Sequence, residues 1–374
     1  MSYSFLIVDT YYPAFLEHCR SSLKDGCTPD EHLQLLMDEL FGTSDFYSKN
    51  LNKLGCEARD IIFNDLLLQQ SWMREKGLGS SICPLYKNDL FFKALGRFNK
   101  IPWDYKTPYK FLKAQIDYYR PDVLYIQDLS MDGKFISDIR RSVKFVIGQI
   151  AAPLPRTLDL KGYDLILTCL PYYVELFRNM GVNSEYFRIA FEHSVLGKIG
   201  MRERTLNATF VGGITKAHAS GTQMLEKLAA NAAVDFYGYG ASVLPKESAI
   251  RKRHCGEAWG KDMYGILCQS KVTVNRHIDI ARNYAANMRL YEATGCGAML
   301  ITDMKDNLGE LFEVGKEVVA YRDVDELIDL VHYYSSHDKE RDAIAQAGQR
   351  RTLTEHTYFN RMQELLEIIP KYIK

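Results

Sequence analysis

A chain of 374 residues, of which 47% are hydrophobic and 25% charged, has the composition of a globular protein and not of a disordered one. The length exceeds what one ordinary core fills, so two domains of about 150 to 200 residues each are expected. The 47 basic residues balance the 47 acidic ones, so net charge favours neither nucleic acid nor an anionic membrane as a partner.

The cysteines and the N-terminus indicate a cytoplasmic protein. The eight cysteines include no Cys-x-x-Cys pair and lie mostly in apolar contexts, as reduced thiols do, and their spacing fits neither a disulfide framework nor a zinc site. The N-terminus lacks the pattern of a signal peptide. No stretch approaches the roughly 18 uninterrupted apolar residues of a transmembrane helix, so no integral membrane segment is predicted.

Strand and helix patterns alternate through the first half of the chain. The apolar run from Ser4 to Val8 predicts a buried strand that ends at Asp9. Further strands are predicted over Val123 to Ile126, in KFVIGQIAAPLP and in YDLILTCLPYYVELFRNMG. This spacing is typical of βαβ units, which form a parallel sheet with right-handed crossovers.

A polar segment, EHSVLGKIGMRERTLN, separates this series from a second one. Strand-like stretches follow in ATFVGGITKAH, VDFYGYGAS, KVTVN and the apolar run after Gly297, which predicts a second open α/β sheet. The chain ends in an amphipathic helical pattern, TYFNRMQELLEIIPKYIK. We therefore predict domains over residues 1–200 and 201–355 and a closing segment over residues 356–374.

Two such sheets would face one cleft, because ligands bind beyond the carboxyl ends of parallel strands. The residues just after each predicted strand are therefore candidates for a site. In the first domain they include Asp9, Tyr11, Tyr12, Asp128 and Gln149, and in the second they include Gly212, Gly213, Tyr239, Gly240, Asn275, Arg276, His277 and Asp279.

The turn in TFVGGITKAH could hold a phosphate. Gly212 and Gly213 would let a phosphate approach the backbone, and Lys216, near His218, could neutralise a pyrophosphate. The stretch is neither a Walker A motif nor GxGxxG, so a simple tight turn explains it equally well.

The stretch ARNYAANMRLYEATGCG predicts a helix with Asn283 as its N-cap and with N–H groups that could bind phosphate. Glu292 would lie about two turns inside, where a carboxylate can accept two hydrogen bonds from a vicinal diol such as ribose. The alternative is an ion pair with Arg289 on a solvated face. Gly295 and Gly297 would let the helix pack against the next strand, which favours an interior acid with a partner.

Other chemical motifs are weaker. His277 with Asp279 could form a catalytic dyad, although strand-end polar groups more often bind ligand or brace a loop. Tyr11, Tyr12, Trp72 and Trp259 could supply stacking platforms for a sugar or base, although most of these rings should belong to the core. No zinc-ligand spacing, Ser/His/Asp arrangement or nucleophile elbow is present, so neither a hydrolase nor a metal site is expected.

The run NMRLYEATGCGAMLITDMKDNLGELFEVGKEVVAYRDVDELIDLV, followed by ERDAIAQAGQRRTLTEHTYFNRM, resembles the C-terminal half of GT-B fold glycosyltransferases of the CgeB-like (spore maturation protein) group. LIVDTYYPAFL, GQIAAPLP and TFVGGITKAH are also similar to that group. The resemblance implies an α/β fold of two Rossmann-like domains whose parallel sheets face a central cleft. It also implies a nucleotide-sugar donor on the second domain, an acceptor mostly on the first, and a final helix that returns to the first.

The resemblance further implies site roles. Glu292 matches the glutamate that binds the donor ribose in related enzymes, and Lys216 matches the region that contacts the diphosphate. Known retaining families carry a second glutamate seven positions before the first, where this chain has Ala285, while Asn287 and Arg289 complete the motif. The sequence therefore leaves the stereochemistry open.

The chemistry of the donor suggests a mechanism. The negative charge of the departing diphosphate would be stabilised by the helix N-terminus near Asn283, by Lys216 and by Arg282 or Arg289, with no divalent metal. An inverting route also needs a base on the acceptor hydroxyl, for which Asp9 and Asp128 are candidates, whereas a retaining route does not.

We therefore predict a cytoplasmic, metal-independent hexosyltransferase that uses a UDP-, GDP- or dTDP-sugar, requires no cofactor and acts on a protein, glycan or small-molecule acceptor. The alternatives are a non-catalytic nucleotide-sugar-binding or structural protein on the same scaffold and a sugar-nucleotide epimerase. The candidate catalytic residues are Asp9, Asp128 and His277; the donor-binding candidates are Gly212, Gly213, Lys216, His218, Asn275, Asn283, Asn287, Arg289 and Glu292; and the acceptor-side candidates are Tyr11, Tyr12 and Gln149.

Overall fold

The computed structural model describes residues 3–78, 107–156, 158–214 and 219–373. These residues form two six-stranded sheets in which all recorded strand pairs are parallel. The predicted α/β fold class is confirmed. The domain boundaries stay a prediction, with the first sheet ending at Tyr186 and the second beginning at Leu206.

The first sheet has the spatial order β2-β1-β3-β4-β5-β6. Its strands are β1 (Ser4–Asp9), β2 (Glu57–Ile62), β3 (Val123–Ile126), β4 (Phe145–Gln149), β5 (Leu165–Thr168) and β6 (Ser184–Tyr186). Its described helices are α1 (Pro13–Arg20), α2 (Pro29–Asp38), α3 (Phe46–Lys53), α4 (Leu66–Glu75), α5 (Thr107–Tyr119), α6 (Gly133–Ile139), α7 (Pro171–Asn179) and α8 (Ser194–Ile199).

The second sheet has the spatial order β12-β11-β10-β7-β8-β9. Its strands are β7 (Leu206–Val211), β8 (Asp235–Tyr237), β9 (His254–Gly256), β10 (Ser270–Val274), β11 (Met299–Asp303) and β12 (Val319–Tyr321). The remaining helices are α9 (Ala219–Asn231), α10 (Ala249–Lys252), α11 (Gly260–Gln269), α12 (Met288–Gly295), α13 (Leu308–Leu311), α14 (Val324–Ser336), α15 (Asp338–Glu355) and α16 (Tyr358–Ile368).

The central strands explain why the sheets are parallel. Every residue of β3, β4 and β5 is buried, because helices cover both faces of the sheet. The sequences VLYI, FVIGQ and LILT are correspondingly apolar, apart from residues at the strand ends. The polar residues that follow such strands are thereby gathered at one edge of each sheet.

The last helix packs on the first domain. Tyr358 of α16 is buried, with its ring centroid 5.5 Å from that of Phe46 and 5.3 Å from that of Tyr47, both on α3. The backbone of Phe191 exchanges hydrogen bonds with the segment before α16, accepting from the N–H of Tyr358 at 3.0 Å and donating to the carbonyl of His356 at 2.8 Å. The apolar face of α16 therefore completes a core that begins in the first domain.

Among the described residues, no helix combines the length and the apolar character that crossing a bilayer would require.

A partly buried acid on β2 should lower stability at high pH. Burial, with contributions from the charges of Asp45 and Asp9, raises the pKa of Asp60 to about 8, against the hydrogen bond that Ser48 donates. The unfolded chain loses this proton near its ordinary pKa of 3.8, so folding stability falls as pH rises from about 4 to about 8. We expect Asp60→Asn to raise the free energy of unfolding by about 2 kcal/mol at pH 8 and by little at pH 4.

Denaturant unfolding at both pH values measures this effect. Glu57→Gln, an exposed change on the same strand, is the control and should alter stability little at either pH. If Asp60→Asn raises the free energy of unfolding equally at pH 4 and pH 8, the raised pKa of Asp60 is contradicted.

Candidate functional site

A cavity of about 440 Å³ lies between the two domains. The second domain contributes residues that follow β7, β8, β9 and β10, together with the first turns of α9, α11 and α12. The first domain contributes Tyr12, after β1, and Leu40, Phe41 and Gly42, after α2. The cavity is therefore at the carboxyl-end edge of the second sheet, where parallel sheets bind ligands.

The glycine turn after β7 is packed against the turn after β8. A Cβ atom on Gly213 would lie 2.3 Å from Cζ of Tyr239, and one on Gly238, which has a φ of +125°, would lie 2.3 Å from the carbonyl oxygen of Gly212. Both positions therefore require glycine, and Gly212 and Gly213 line the cavity. Lys216 and His218 lie outside the described residues.

The helix that carries Glu292 begins later than predicted. Asn287 is the N-cap, and its side chain accepts a hydrogen bond from the N–H of Leu290 at 3.4 Å. Asn283 is exposed and outside the helix, so its predicted capping role is wrong. The cause is Asn307, whose side chain accepts from the N–H of Ala285 at 2.7 Å and donates to its carbonyl at 3.3 Å. These bonds hold the backbone of Ala285 before the first helical turn.

Glu292 is a buried carboxylate in the wall of this cavity. Its Oε2 lies 2.7 Å from Nη1 of Arg289, and its Oε1 lies 3.4 Å from the hydroxyl of Tyr264. Arg289 also donates from Nε to the carbonyl of Val211 at 3.1 Å, which ties α12 to the end of β7. The ion pair with Arg289 therefore forms, but within the cavity wall and not on a solvated face.

Asn275 and Asn287 connect the end of β10 to the start of α12. Nδ2 of Asn287 donates to Oδ1 of Asn275 at 2.8 Å, and Nδ2 of Asn275 donates to Oγ1 of Thr302 at 2.9 Å. Tyr321 donates to the carbonyl of Asn275 at 3.0 Å. Both asparagines line the cavity, and this network fixes the N-terminal end of α12 beside it.

His277 lies behind the cavity wall. Its side chain is fully buried, and its Nδ1 lies 2.7 Å from Oδ1 of Asp303. Burial opposes the charge of Asp303, but His277 and Lys305 outweigh it and lower the pKa of this carboxyl to about 2. Asp279 instead pairs with Arg276 at 2.9 Å. The predicted dyad of His277 with Asp279 is therefore wrong, and His277 does not line the cavity.

The three acceptor-side candidates have different positions. Tyr12 lines the cavity with 52% of its surface exposed. Tyr11 is buried against Phe15 and Phe41. Gln149 is buried in the first domain. Its Oε1 accepts from the hydroxyl of Tyr47 at 3.0 Å and from that of Tyr125 at 2.8 Å. The predicted cleft positions of Tyr11 and Gln149 are therefore wrong, because both side chains point into the core.

Asp9 and Asp128 follow neighbouring strands of the first sheet. Oδ1 of Asp9 accepts from the N–H of Thr10 at 2.7 Å, and Oδ1 of Asp128 accepts from both the N–H and the hydroxyl of Ser130. Burial, with a contribution from the charge of Asp128, raises the pKa of Asp9 to about 7, against hydrogen bonds from Thr10 and Thr43. Neither carboxylate lines the cavity, although Gly42, the neighbour of Thr43, does.

The sequence indicated Arg276 and Tyr239 as strand-end residues and Trp259 as a stacking platform without giving them a role in donor binding, and it did not indicate Gly221. The guanidinium of Arg276 lies over the first turn of α9, where a Cβ atom on Gly221 would be 2.3 Å from its Nη1. Tyr239 and Trp259 stack with centroids 5.4 Å apart and planes 2° apart. All four residues follow strands or begin helices at the cleft edge. For Gly221, this position was the available signal.

No group of three or more His, Cys, Asp or Glu side chains is arranged for metal binding within the part of the chain that the structure describes.

The glycine corner after α12 also has a packing role. A Cβ atom on Gly295 would lie 2.5 Å from Cγ of Phe191, and Gly297, with a φ of +75°, approaches the side chain of Gln349. The closest approaches of these two glycines are therefore to Phe191, Arg204 and Gln349 of α15, while α12 also packs against β11, the next strand. We expect Gly295→Ala to lower the free energy of unfolding by about 1 to 3 kcal/mol through overpacking, as measured by denaturant unfolding.

The matched control for this change is Gly265→Ala in α11, where an added Cβ meets no atom within 4 Å. Alanine favours a helix interior by up to about 1 kcal/mol over glycine, so this control should stabilise the protein. If Gly295→Ala and Gly265→Ala change the free energy of unfolding in the same direction, the packing argument is contradicted.

The comparisons with known proteins agree with this architecture. Residues 218–367 match the sequence family described as glycosyl transferase-like. The chain is similar to the structure of HepE from Anabaena in complex with UDP-glucose, with a TM-score of 0.56 and 11% identity over 99% of this chain and 100% of that one. Sucrose-phosphate synthase from Thermosynechococcus elongatus has a TM-score of 0.56 and 10% identity over 99% and 98% of the two chains.

A glycosyltransferase from Rickettsia africae is also similar, with a TM-score of 0.55 and 12% identity over 100% of this chain and 99% of that chain. A search of curated proteins gives no match. The chain therefore has the GT-B fold of these glycosyltransferase structures, in which two Rossmann-like domains present parallel sheets to a shared cleft.

Proposed function

We propose that the protein is a metal-independent hexosyltransferase of the CgeB-like group, located in the cytoplasm, that uses a nucleotide-diphosphate sugar. The observation that carries the proposal is Glu292, a buried carboxylate in the cavity wall whose orientation Arg289 and Tyr264 determine. The glycosyl transferase-like match over the second domain supports transfer chemistry. The similarity to HepE, which was solved with UDP-glucose, supports a UDP-sugar ahead of GDP- or dTDP-sugars.

Glu292 would bind the ribose of the donor. Its Oε2 is occupied by Arg289, whereas its Oε1 has only the long contact with Tyr264 and keeps capacity to accept from a diol. The cavity volume of about 440 Å³ is in the range of small-molecule sites.

The diphosphate would lie at the turn of Gly212 and Gly213, beside the first turn of α9 and Arg276. The N-terminal turn of α9 favours an anion there, the glycines leave the backbone open to a phosphate, and Arg276 adds a positive charge. In the transfer step the bond between the anomeric carbon and the diphosphate oxygen breaks, and a bond from the acceptor oxygen to that carbon forms. The diphosphate leaves with the bonding electron pair, so these groups stabilise the charge that develops on it.

The acceptor hydroxyl loses its proton in this step. Asp9 is our candidate base, because it ends β1 three residues before Tyr12, which lines the cavity, and its raised pKa of about 7 suits a base near neutral pH. Asp128 is engaged by Ser130 and would influence Asp9 through its charge. The acceptor that carries this hydroxyl is a protein, a glycan or a small molecule.

Nucleotide binding tests the donor site. We expect UDP to raise the melting temperature more than GDP or dTDP at the same concentration, because a ligand of the native state stabilises it by mass action. Addition of the matching UDP-sugar should then give slow release of UDP without acceptor. The donor-site assignment fails if no nucleoside diphosphate shifts the transition.

One observation favours a non-catalytic binding protein as the second candidate. Ala285, at the position where the resemblance places a glutamate in retaining enzymes, is buried with its backbone held by Asn307, and its side chain offers no acid to a donor sugar. Binding of UDP-sugars without any UDP release, either alone or with acceptor, would select this candidate.

A further inference from the structure

Four aromatic side chains from both domains meet at one wall of the cavity, and we call them the interdomain aromatic patch: Tyr12, Phe41, Tyr239 and Trp259. The ring of Tyr12 contacts the other three edge to face, with centroids 5.6 Å from Phe41, 6.3 Å from Tyr239 and 6.0 Å from Trp259. The patch therefore exists as one surface only where the two domains meet.

The first-domain side of the cavity carries no charged side chain among the lining residues that the structure describes. Arg276, Arg289 and Glu292 are the charged lining residues, and all three belong to the second domain. The first domain presents Tyr12, Leu40, Phe41 and Gly42. A ligand group that contacts this side therefore gains from apolar contact and finds no partner for a charge of its own.

Tyr12 is the member of the patch best placed to contact a ligand. Half of its surface is exposed although it touches three other rings, whereas its neighbour Tyr11 is buried. It also follows Asp9, the proposed base and the last residue of β1, by three residues. A group seated on Tyr12 would thus lie on the acceptor side, whereas the proposed ribose and diphosphate ligands lie on the second domain.

We propose that the interdomain aromatic patch binds the pyranose ring of a neutral carbohydrate, so that the acceptor is a glycan and not a peptide or a charged metabolite. The inference rests on the proposed function. Aromatic faces carry partial negative charge and attract the weakly positive C–H groups that line one face of a pyranose, while the sugar hydroxyls at the ring edge stay hydrated. Such a surface suits an uncharged sugar and gives a charged side chain or phosphate no compensation.

The nucleobase of the donor is the competing occupant of this patch. It would stack on Tyr239 and Trp259, which belong to the second domain, and would need little from Tyr12. The two occupants predict different effects of changing Tyr12. If the patch binds the nucleobase, nucleotide affinity changes, whereas if it binds the acceptor, only the binding of the sugar changes.

Saturation-transfer NMR on the full chain tests the proposal, with methyl α- and methyl β-D-glucopyranoside, maltose and cellobiose as probes, measured with and without UDP. We expect saturable transfer to ring C–H protons of at least one probe. Tyr12→Ala should lower it at least fivefold, and Tyr12→Phe should keep it within twofold. The UDP dissociation constant, measured by calorimetry, should change less than twofold in both variants.

Tyr118→Ala is the matched control, because Tyr118 is exposed to 53% and lies outside the cavity, and it should change neither binding reaction. Absence of transfer to all four probes, or transfer unchanged in Tyr12→Ala, overturns the proposal. A fall in UDP affinity in Tyr12→Ala also overturns it and assigns the patch to the nucleobase. Failure of UDP itself to bind would refute the proposed function separately, since saturation transfer to the sugar probes is measured without UDP as well.

Discussion

Replacement of Glu292 by alanine is expected to weaken nucleotide binding at least about 100-fold while the protein stays folded. Hydrogen bonds to a charged group contribute about 1.5 to 3 kcal/mol each, and a ribose diol would lose two of them. The UDP-induced rise in melting temperature should disappear, and UDP release from a UDP-sugar should fall with it. Calorimetric titration of UDP measures the loss directly.

The same change should also cost stability, because Arg289 then keeps its position near Val211 without a carboxylate partner. We expect the free energy of unfolding to fall by about 1 to 3 kcal/mol, since the partly buried guanidinium of Arg289 loses its ion-pair partner. Glu292→Gln retains an acceptor oxygen and the side-chain volume, so its effect on UDP affinity should be smaller than that of alanine.

Glu192→Gln is the matched control. Glu192 is equally buried, accepts from Nδ2 of Asn50 at 2.6 Å and does not line the cavity. It should lower stability without changing UDP affinity. Equal losses of UDP affinity in the two glutamate variants would mean that general destabilisation, and not ribose recognition, explains the result for Glu292.

Asp9→Asn is expected to lower the rate of sugar transfer by a factor of about 10² to 10⁴, the usual range for a lost general base. In the natural chain the rate should rise with pH and level off above about 7, because the base acts only when deprotonated. In Asp9→Asn this rise should be absent. The free energy of unfolding of Asp9→Asn at pH 8 should be higher than that of the natural chain. The reason is that the raised pKa of Asp9 makes its ionised form unfavourable in the folded state.

Asp128→Asn provides the control for this prediction. The charge of Asp128 contributes to the raised pKa of Asp9, so its removal should shift the midpoint of the pH profile to lower pH while most of the rate is kept. A rate for Asp9→Asn within tenfold of the natural chain, with the same pH profile, would exclude Asp9 as the base and favour a retaining route.

The fold was largely predictable because buried parallel strands are short apolar runs. The strand predicted from Val123 to Ile126 has those bounds in the structure, and β1 starts at Ser4 and ends at Asp9 as predicted. The position of Glu292 in the cavity wall could also be predicted, since Gly295 and the apolar run after it indicated an interior helix.

The errors arose where distant residues decide local structure. Asn283 and Asn287 are equally good N-caps in sequence, and Asn307 selects the second by holding the backbone of Ala285. The partner of His277 is Asp303, 26 positions away and not the nearby Asp279. Neither contact has a signal in a short window of sequence.

The choice between Tyr11 and Tyr12 had a related cause. Alternation of inward and outward side chains holds within a strand and is lost in the loop that follows it, so the sequence could not say which ring turns into the core. Packing against Phe15 and Phe41 makes that choice for Tyr11.

The position of α16 has a consequence for biosynthesis. The ribosome completes the six strands of the first sheet long before it reaches Tyr358, which covers Phe46 and Tyr47. Until then these rings lack their native neighbour and are available to chaperones or to other nascent chains. Since contacts so distant in sequence form slowly, the first domain to be synthesised should be the last to reach its final packing.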